Sequence, residues 1–560
     1  MRLIKNLLRN GVQFMQRRQN STLSSPQYHL GERNQSLLSR LAYYIDNKYN
    51  NNDDIKKNLR IHNSSKQIGV ENNSFKQYTD EQLQNVLSNL KERKIFSKSP
   101  EFKYVINKID YECMSRLDNL DPKSILNILN TLAQIDVESI MKYKIYEFGL
   151  NNLIDNIDFL NQKELLQTMF YLSLKKKDKD VQKVLKNCMT ALQKYDFNEL
   201  GIEELCIICN STFRTSTKIS NKRILEKINK TINDNLYILH DPAIFVTLIK
   251  TLRHNRNQDN DILSTIACTI LFNKTYKNYS FMAMCHILAL FADYTYYDEN
   301  LLRLLTILCL KEINRVSTNI NAIRNKDITR FLWAMSVLNY CEDTGYIKII
   351  LPIIEQKALM GYYKNDIEDL VELMLYLWML NYQPIDLIQH TLTPKTISLI
   401  KNQKSRTKIR LNLFLSCLYF ENRQLFNDLN TTLEPFRPVH TKLHLERRPH
   451  FSWVYEMLLT LKSDLPKNLR FEITYEVPHL DICGITGYNK ENKKEVYIEV
   501  LDETTCVRNR ESWPNGPMFL KLRLLKSLPE ALIVIDEEMA TNSTEEELKD
   551  FLIQEIQLLC

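Results

Sequence analysis

The chain has 560 residues, more than one hydrophobic core supports, so two or more folded units are expected. Its hydrophobic content of 44% and charged content of 25% exclude a largely disordered chain, and its 10 glycines and 15 prolines are too few for a fold rich in tight turns. The net charge of +7 is uneven: residues 451–560 hold 12 Lys and Arg against 20 Asp and Glu, so any basic surface for a polyanion lies in the first 450 residues.

The N-terminal segment has the composition of a targeting sequence. Its first 31 residues contain no acidic residue, and the apolar residues Leu3, Ile4, Leu7, Leu8 and Val12 fall on one helical face. The basic residues are Arg2, Lys5, Arg9, Arg17 and Arg18. This pattern predicts a mitochondrial presequence over residues 1–25 and a location in the mitochondrial matrix. An ordinary N-terminal helix is the alternative.

Residues 26–99 are rich in Asn, Ser and Lys. This composition predicts a linker, with one possible helix near residues 37–45.

Residues 100–430 contain a repeated helical pattern. Apolar segments end at residues 132, 172, 212 and 252, an interval of 40 each time, and looser copies end at residues 288, 338, 377 and 418. A second, more polar helix fills each period. Because one helix pair cannot bury its own apolar stripe, the pattern predicts a mainly α fold, an α-solenoid of helical-hairpin repeats. An irregular helical bundle is the alternative.

Basic residues of this array are the candidates for RNA binding. A solenoid offers one position per repeat along a surface, which suits single-stranded RNA with its bases splayed out. Lysine and arginine contacts to phosphate would make the affinity salt-dependent. The candidates are Lys250, Arg253, Arg324, Arg330, Lys404, Arg406, Lys408 and Arg410. The alternative for each is a solvated helix end.

The last part of the chain changes to an α/β pattern. Residues 431–450 contain three prolines and several basic residues, and we interpret them as a hinge. A small α/β unit follows over residues 451–560. Helices are predicted at 451–462, 518–526 and 545–558, and strands at 471–477, 480–484, 496–501 and 531–535, with Gly487, Asn489 and Asn492 in the turn after the second strand.

Residues 451–560 resemble the RAP domain, the module that ends a family of organellar RNA-binding proteins. The matching features are Asp481-Ile482, Ile498-Glu499-Val500, Arg508-Asn509 with Gly516, and the helix Leu520–Leu525. The chain departs from the family at Leu501–Cys506, where the usual glycine turn and aromatic residue are missing. The resemblance implies a fold related to restriction endonucleases, and it adds Arg508, Lys521 and Arg523 to the RNA-binding candidates.

Nucleases of that fold hold a divalent metal with one acidic residue and a later Glu-x-Lys pair. Asp481 and Glu499 match the two acids, but Leu501 stands where the lysine would be, and Lys521 is the candidate substitute. The alternative is that both acids are partly solvated and pair with Lys521 or Arg523. We therefore expect no catalysis, no metal site and no cofactor; the rival is an RNA endonuclease that requires Mg²⁺.

Together these patterns predict a mitochondrial RNA-binding protein. The resemblance implies a role in the stability, processing or translation of organellar mRNA or ribosomal RNA, with proteins of the mitochondrial ribosome as further expected partners. The period of the array does not decide between RNA and protein as ligand, so a protein–protein scaffold is the second alternative. No apolar run approaches 18 residues, so no membrane span is expected.

Overall fold

The computed structural model is mainly helical and contains a small C-terminal mixed sheet. It describes residues 36–49, 75–92, 100–256, 260–316, 320–341, 345–402, 406–436, 438, 441–461, 465, 469–489 and 495–559. The predicted presequence and Lys404 lie outside the described residues. The chain divides into two units, residues 1–217 and 218–560.

The described part of the first unit contains eight α-helices. These are α1 (Leu37–Tyr49), α2 (Asp80–Glu92), α3 (Pro100–Ser115), α4 (Pro122–Asp136), α5 (Lys144–Asp155), α6 (Gln162–Leu174), α7 (Lys179–Ala191) and α8 (Ile202–Thr215).

The helices predicted for this unit are present. The apolar segments that end at residues 132, 172 and 212 lie in α4, α6 and α8, and α6 packs against both α4 and α8. Polar side chains begin α4 and α6: Asp121 Oδ1 accepts a hydrogen bond from the N–H of Ser124 at 2.7 Å, and Asn161 and Glu164 form a capping box. α5 contacts both α4 and α6, as expected of a helical hairpin.

The predicted linker over residues 26–99 contains more structure than its composition indicates. The helix expected near residues 37–45 is α1, and a further helix, α2, begins at residue 80; both pack against α4. Leu41, Ile45 and Leu87 are fully buried in this contact region. The polar composition did not indicate these contacts, because a few apolar residues at helical spacing are enough for a helix to bury one face.

The described part of the second unit begins with the remaining array helices. These are α9 (Lys222–Asp234), α10 (Pro242–Asn255), α11 (Asn260–Asn273), α12 (Phe281–Asp293), α13 (Glu299–Val316), α14 (Asn325–Val337), α15 (Gly345–Leu359), α16 (Ile367–Met379), α17 (Ile385–Thr391), α18 (Pro394–Lys401), α19 (Arg406–Glu421) and α20 (Arg423–Asp428).

The C-terminal elements follow. They are α21 (Thr441–Arg447), α22 (Pro449–Thr460), β1 (Leu469–Thr474), β2 (Gly484–Asn489), β3 (Glu495–Val500), α23 (Gly516–Lys526), β4 (Ala531–Ile535), α24 (Glu537–Asn542) and α25 (Glu545–Leu559).

The array helices of the second unit form two packed series. In one series α10, α12, α14, α16 and α19 each contact the next, and these helices contain the predicted apolar segments. In the other series α9, α11, α13, α15 and α17 do the same. Side chains such as Phe331 and Trp378 are fully buried in the first series. Alternating helices therefore pack in two series, which is consistent with a helical array.

The C-terminal sheet has the strand order β1-β2-β3-β4. β1–β2 and β2–β3 are antiparallel, whereas β3–β4 is parallel and is connected through α23. Buried residues of α22 and α25, such as Phe451 and Leu552, share a core with Ile485, Ile498 and Ile533 of the sheet. Residues of α23 belong to a second core cluster. The predicted small α/β domain is therefore present.

The second strand lies later in the chain than predicted. Residues 480–483 are not a strand, and β2 covers residues 484–489, so that Gly487 lies within the strand rather than in the turn. A Cβ atom on Gly487 would lie 2.7 Å from Val496 Cγ1 and 2.9 Å from Phe471 Cε1. This glycine makes room for neighbouring cross-strand side chains, a role that its usual association with turns conceals.

The loop between β3 and α23 contacts the ends of two array helices. The N–H of Arg508 donates to the carbonyl of Thr295 at 2.6 Å, and the N–H of Tyr297 donates to the carbonyl of Arg508 at 3.0 Å, just after α12. Asn339, just after α14, donates through Nδ2 to the carbonyl of Pro514 at 3.0 Å. These bonds attach the α/β domain to the array within the second unit.

α23 continues this attachment along the array, since it contacts α14, α16 and α19. Its first residue, Gly516, lies against the backbone of Ser336. Near its other end, Arg523 pairs with Glu421 at 2.7 Å and donates through Nη2 to the carbonyl of Trp378 at 2.7 Å. Carbonyls at the C-terminus of a helix lack partners within the helix, so an arginine that reaches one stabilises the helix end.

We expect Arg523→Ala to lower the free energy of unfolding by about 1–3 kcal/mol, since it removes charge-assisted hydrogen bonds from partly buried groups. Arg523→Lys should recover only part of the loss, because an ammonium group cannot reproduce the forked geometry of guanidinium. Denaturant unfolding of the full chain measures both effects. An unchanged midpoint for Arg523→Ala would show that this contact does not stabilise the domain.

Candidate nucleic-acid interface

Four of the predicted RNA-binding residues meet in the second unit. Lys250 and Arg253 lie on α10, Arg324 immediately precedes α14, and Arg330 lies on α14. His286 lies on α12, the helix between them. We call these five residues the basic cluster.

One carboxylate orients two arginines of the basic cluster. Asp327, in the first turn of α14, accepts from Arg324 Nε at 2.7 Å and from Arg330 Nη1 at 2.6 Å. The Asp327 side chain is 3% exposed, whereas those of Arg324 and Arg330 are 52% and 22% exposed. A buried acid therefore holds two guanidinium groups that reach solvent to different extents.

Arg253 is held in a similar way from α10. Its Nε atom pairs with Asp293 Oδ2 at 2.5 Å, and its Nη1 atom lies 3.4 Å from Nδ1 of His286. Its guanidinium carbon lies 5.9 Å from the ring centroid of Trp333, within the range of a cation–π contact. The side chain is only 18% exposed, so these contacts fix its direction.

The positive charges of the basic cluster repel one another. Burial, together with the positive charges of Arg330 and Arg324, lowers the pKa of Lys250 to about 8. Burial also depresses the pKa of His286 far below its usual range, with Lys250 and Arg330 as the next causes. Positive charges held close together in a partly desolvated site destabilise one another unless a bound anion compensates them.

The three described candidates on α19 have different surroundings. Arg406 is exposed, Lys408 pairs with Glu434 at 3.1 Å, and Arg410 pairs with Glu372. Burial lowers the pKa of Arg410. Two of these three cations are therefore ion-paired within the chain.

The candidates of the α/β domain serve the attachment described above or lie inside the domain. Arg508 donates through Nη1 to Asn260 Oδ1 at 3.1 Å in addition to its backbone bonds, and Arg523 binds Glu421. Lys521 is fully buried. Because their side chains are committed to contacts within the chain, these residues are weaker candidates for RNA than the basic cluster.

The candidate catalytic residues are only partly brought together. Lys521 Nζ pairs with Glu499, as anticipated, and also with Glu476 Oε2 at 2.9 Å. The Lys521, Glu499 and Glu476 side chains are 0%, 0% and 4% exposed, so the expectation that Glu499 is partly solvated is wrong. Asp481 is exposed, in the segment before β2. We call Glu476, Glu499 and Lys521 the buried triad.

The buried triad is closely surrounded by its own sheet. A Cβ atom on Gly484 would lie 2.7 Å from both Glu476 Oε1 and Lys521 Nζ, so the glycine makes room for the triad. Thr474 donates through Oγ1 to Glu476 Oε1 at 2.6 Å. Burial raises the pKa of Glu499 to about 7, although the Lys521 ammonium opposes this shift. The group is a desolvated ion-pair network without the exposure that a substrate phosphate would require.

A second buried ion pair joins the predicted hinge to the sheet. Arg448 pairs with Asp502 at 2.6 Å and donates to the carbonyls of Cys483 at 2.9 Å and Val500 at 2.7 Å. The Asp502 carboxylate raises the pKa of Arg448 in spite of its burial. Residue 448, predicted as part of the hinge, is therefore part of the α/β domain.

Sequence reasoning missed two members of these sites, His286 and Glu476, and the role of Asp327 in holding two arginines. His286 lies in a strongly apolar helix segment and gave no signal, and Glu476 was hidden at the end of a predicted strand. Asp327 was visible only as an acidic residue in the first turn of a predicted helix, a position that usually indicates helix capping.

In the described part of the chain, no group of three or more His, Cys, Asp or Glu residues is arranged to hold a metal ion. Among the described helices, none has both the length and the apolar character that crossing a membrane requires.

A comparison with protein-family models gave no match, and no curated protein matched the chain. The likeness of residues 451–560 to the RAP domain therefore rests on the residues quoted for it.

Proposed function

We propose that the protein binds single-stranded RNA through the basic cluster. The observation that carries this proposal is the meeting of Lys250, Arg253, Arg324 and Arg330 across α10, α12 and α14 with two neighbouring carboxylates to offset them. Phosphates supply negative charge at intervals along a strand, and guanidinium and ammonium groups are their usual partners.

The wider role follows from the sequence patterns. The packed helix pairs support an α-solenoid, and the mixed sheet with its flanking helices supports a RAP-like domain of the restriction-endonuclease type. Together with the N-terminal composition, they support a protein of the mitochondrial matrix that acts on organellar mRNA or ribosomal RNA, in stability, processing or translation. Mitochondrial ribosomal proteins are the partners that this role implies.

RNA cleavage is not part of this proposal. Glu499 and Lys521 are fully buried and paired with each other, and Asp481, the other candidate acid, is exposed. A phosphodiester would have to displace the packing of β2 to reach Glu499. The geometry favours binding over catalysis.

Salt dependence tests the proposal directly. We expect the affinity of the full chain for an unstructured RNA oligonucleotide to fall with KCl concentration. Lys250→Gln with Arg330→Gln should weaken binding and reduce the slope of log K against log [KCl] by about 1.4, since each lost contact to single-stranded RNA removes about 0.7. Fluorescence anisotropy over a salt series measures this slope.

The matched control is Arg303→Gln with Lys348→Gln, which removes the same charge from exposed positions on α13 and α15. Equal losses in the two double variants would assign binding to net charge rather than to the basic cluster. Crosslinking in isolated mitochondria provides the independent readout. Recovery of a stoichiometric protein partner without RNA would favour the scaffold alternative.

A further inference from the structure

We infer that the basic cluster binds a phosphomonoester, the doubly charged phosphate at the end of an RNA strand, in preference to the singly charged phosphodiesters along it. This inference rests on the proposed function. It names the chemical group that the site selects and therefore which part of the RNA reaches it.

Cationic side chains outnumber carboxylates at the basic cluster. Four side chains that are ordinarily cationic, Lys250, Arg253, Arg324 and Arg330, share the site with the carboxylates of Asp293 and Asp327. The cations therefore outnumber these two carboxylates by two. A phosphomonoester carries close to two negative charges at pH 7, whereas a phosphodiester carries one.

The next acid along the array does not change this balance greatly. Asp369 on α16 is close enough to Arg330 to be influenced by it, but burial and the neighbouring Asp366 raise the pKa of Asp369. Lys326 influences Asp369 more strongly than Arg330 does. The charge of Asp369 is therefore shared with Lys326, a cation outside the basic cluster.

Most side chains of the basic cluster are partly buried. Only Arg324 is largely exposed; the side chains of Arg253 and Arg330 are 18% and 22% exposed, and His286 is 5% exposed as a residue. Phosphates in the middle of a strand carry a nucleotide on each side, so they bind most readily to cations that project into solvent. A terminal phosphate has one free side and can enter a partly buried group of cations end-on.

Carboxylates orient two of the arginines in the basic cluster. Asp293 holds Arg253 from α12, and Asp327 holds Arg330 from within α14, so the two guanidinium groups are fixed before any ligand arrives. Planar guanidinium groups bind phosphate oxygens through paired N–H donors, and Lys250 adds a compact charge beside them. Fixed donors around a surplus of positive charge suit a compact tetrahedral dianion.

The experiment compares one RNA sequence with three ends: hydroxyl at both ends, a 5′-monophosphate, or a 3′-monophosphate. We expect one of the phosphorylated forms to bind the full chain about tenfold more tightly than the hydroxyl form, the order of effect of one additional charge at a partly buried site. Lys250→Gln with Arg330→Gln should abolish the difference, and Arg303→Gln with Lys348→Gln should preserve it.

The outcomes separate this inference from the proposed function. RNA that binds through the basic cluster with equal affinity for all three ends would overturn the inference and leave the proposed function standing. If RNA fails to bind but inorganic phosphate or a nucleoside monophosphate binds in a cluster-dependent way, the phosphomonoester site stands and the proposed function fails. The inference would also be overturned if the double variant Lys250→Gln with Arg330→Gln still preferred a phosphorylated end of the RNA.

Discussion

Replacing Gly516 by alanine is expected to lower the free energy of unfolding of the chain by about 3 kcal/mol, the upper part of the range for overpacking. A Cβ atom at this position would lie 1.7 Å from the carbonyl oxygen of Ser336 and 2.7 Å from its carbonyl carbon. Both are backbone atoms of α14, so no rotamer change relieves the clash. α23 must move away from the array or the variant must strain α14.

Denaturant unfolding measures the loss, and hydrogen exchange of α14 and α23 locates it. Gly149→Ala is the matched control, because a Cβ atom there would meet a side-chain methyl group, Ile125 Cγ2, at 2.9 Å, and alanine is also favoured over glycine within a helix. We expect that control to change stability much less. A Gly516→Ala variant with native stability and native exchange would show that α23 does not pack on α14 as described.

The second large effect is expected at the buried triad. Lys521→Met leaves Glu476 and Glu499 buried without their common counter-charge, which should cost about 3–5 kcal/mol at pH 8. Replacing Glu499 by glutamine in the same chain should recover part of the loss, because one of the two unpaired charges is then absent. Denaturant unfolding of both variants tests this order.

The loss caused by Lys521→Met should depend on pH. The pKa of Glu499 in the folded protein is about 7, above its ordinary value, so the folded state holds this proton more tightly than the unfolded state. Stability from this group is therefore present at low pH and is lost as the pH rises towards 7. Without Lys521 the pKa of Glu499 rises further, so the variant should be damaged less at pH 5 than at pH 8. Equal losses at both pH values would contradict this account of the triad.

The helical array could be predicted because its signal is local and repeated. The apolar segments that end at residues 132, 172 and 252 recur at helical spacing, and burial of one face per helix is what the structure shows. The predicted strands at residues 496–501 and 531–535 were also placed well, since the β-branched residues of the first and the continuous apolar run of the second both indicate a strand.

The errors arise where the deciding contact is distant in sequence. β2 was placed too early because Gly487 was assigned to a turn, whereas its role is to make room for Phe471 and Val496. Glu476 joins Lys521 only after β1, β2 and α23 come together, and no local pattern shows this. The five residues of the basic cluster, spread over 81 positions from Lys250 to Arg330, likewise meet only through helix packing.

The packing of α23 against α14, α16 and α19 also limits how this part of the array can change in length. Those three helices must keep the spacing that places Ser336 beside Gly516 and Glu421 beside Arg523. An extra hairpin inserted between α14 and α19 would separate these two anchor points by one helix width and leave the C-terminal domain able to satisfy only one of them. Lengthening of the array by duplication is therefore expected to be tolerated only outside the segment that the domain spans.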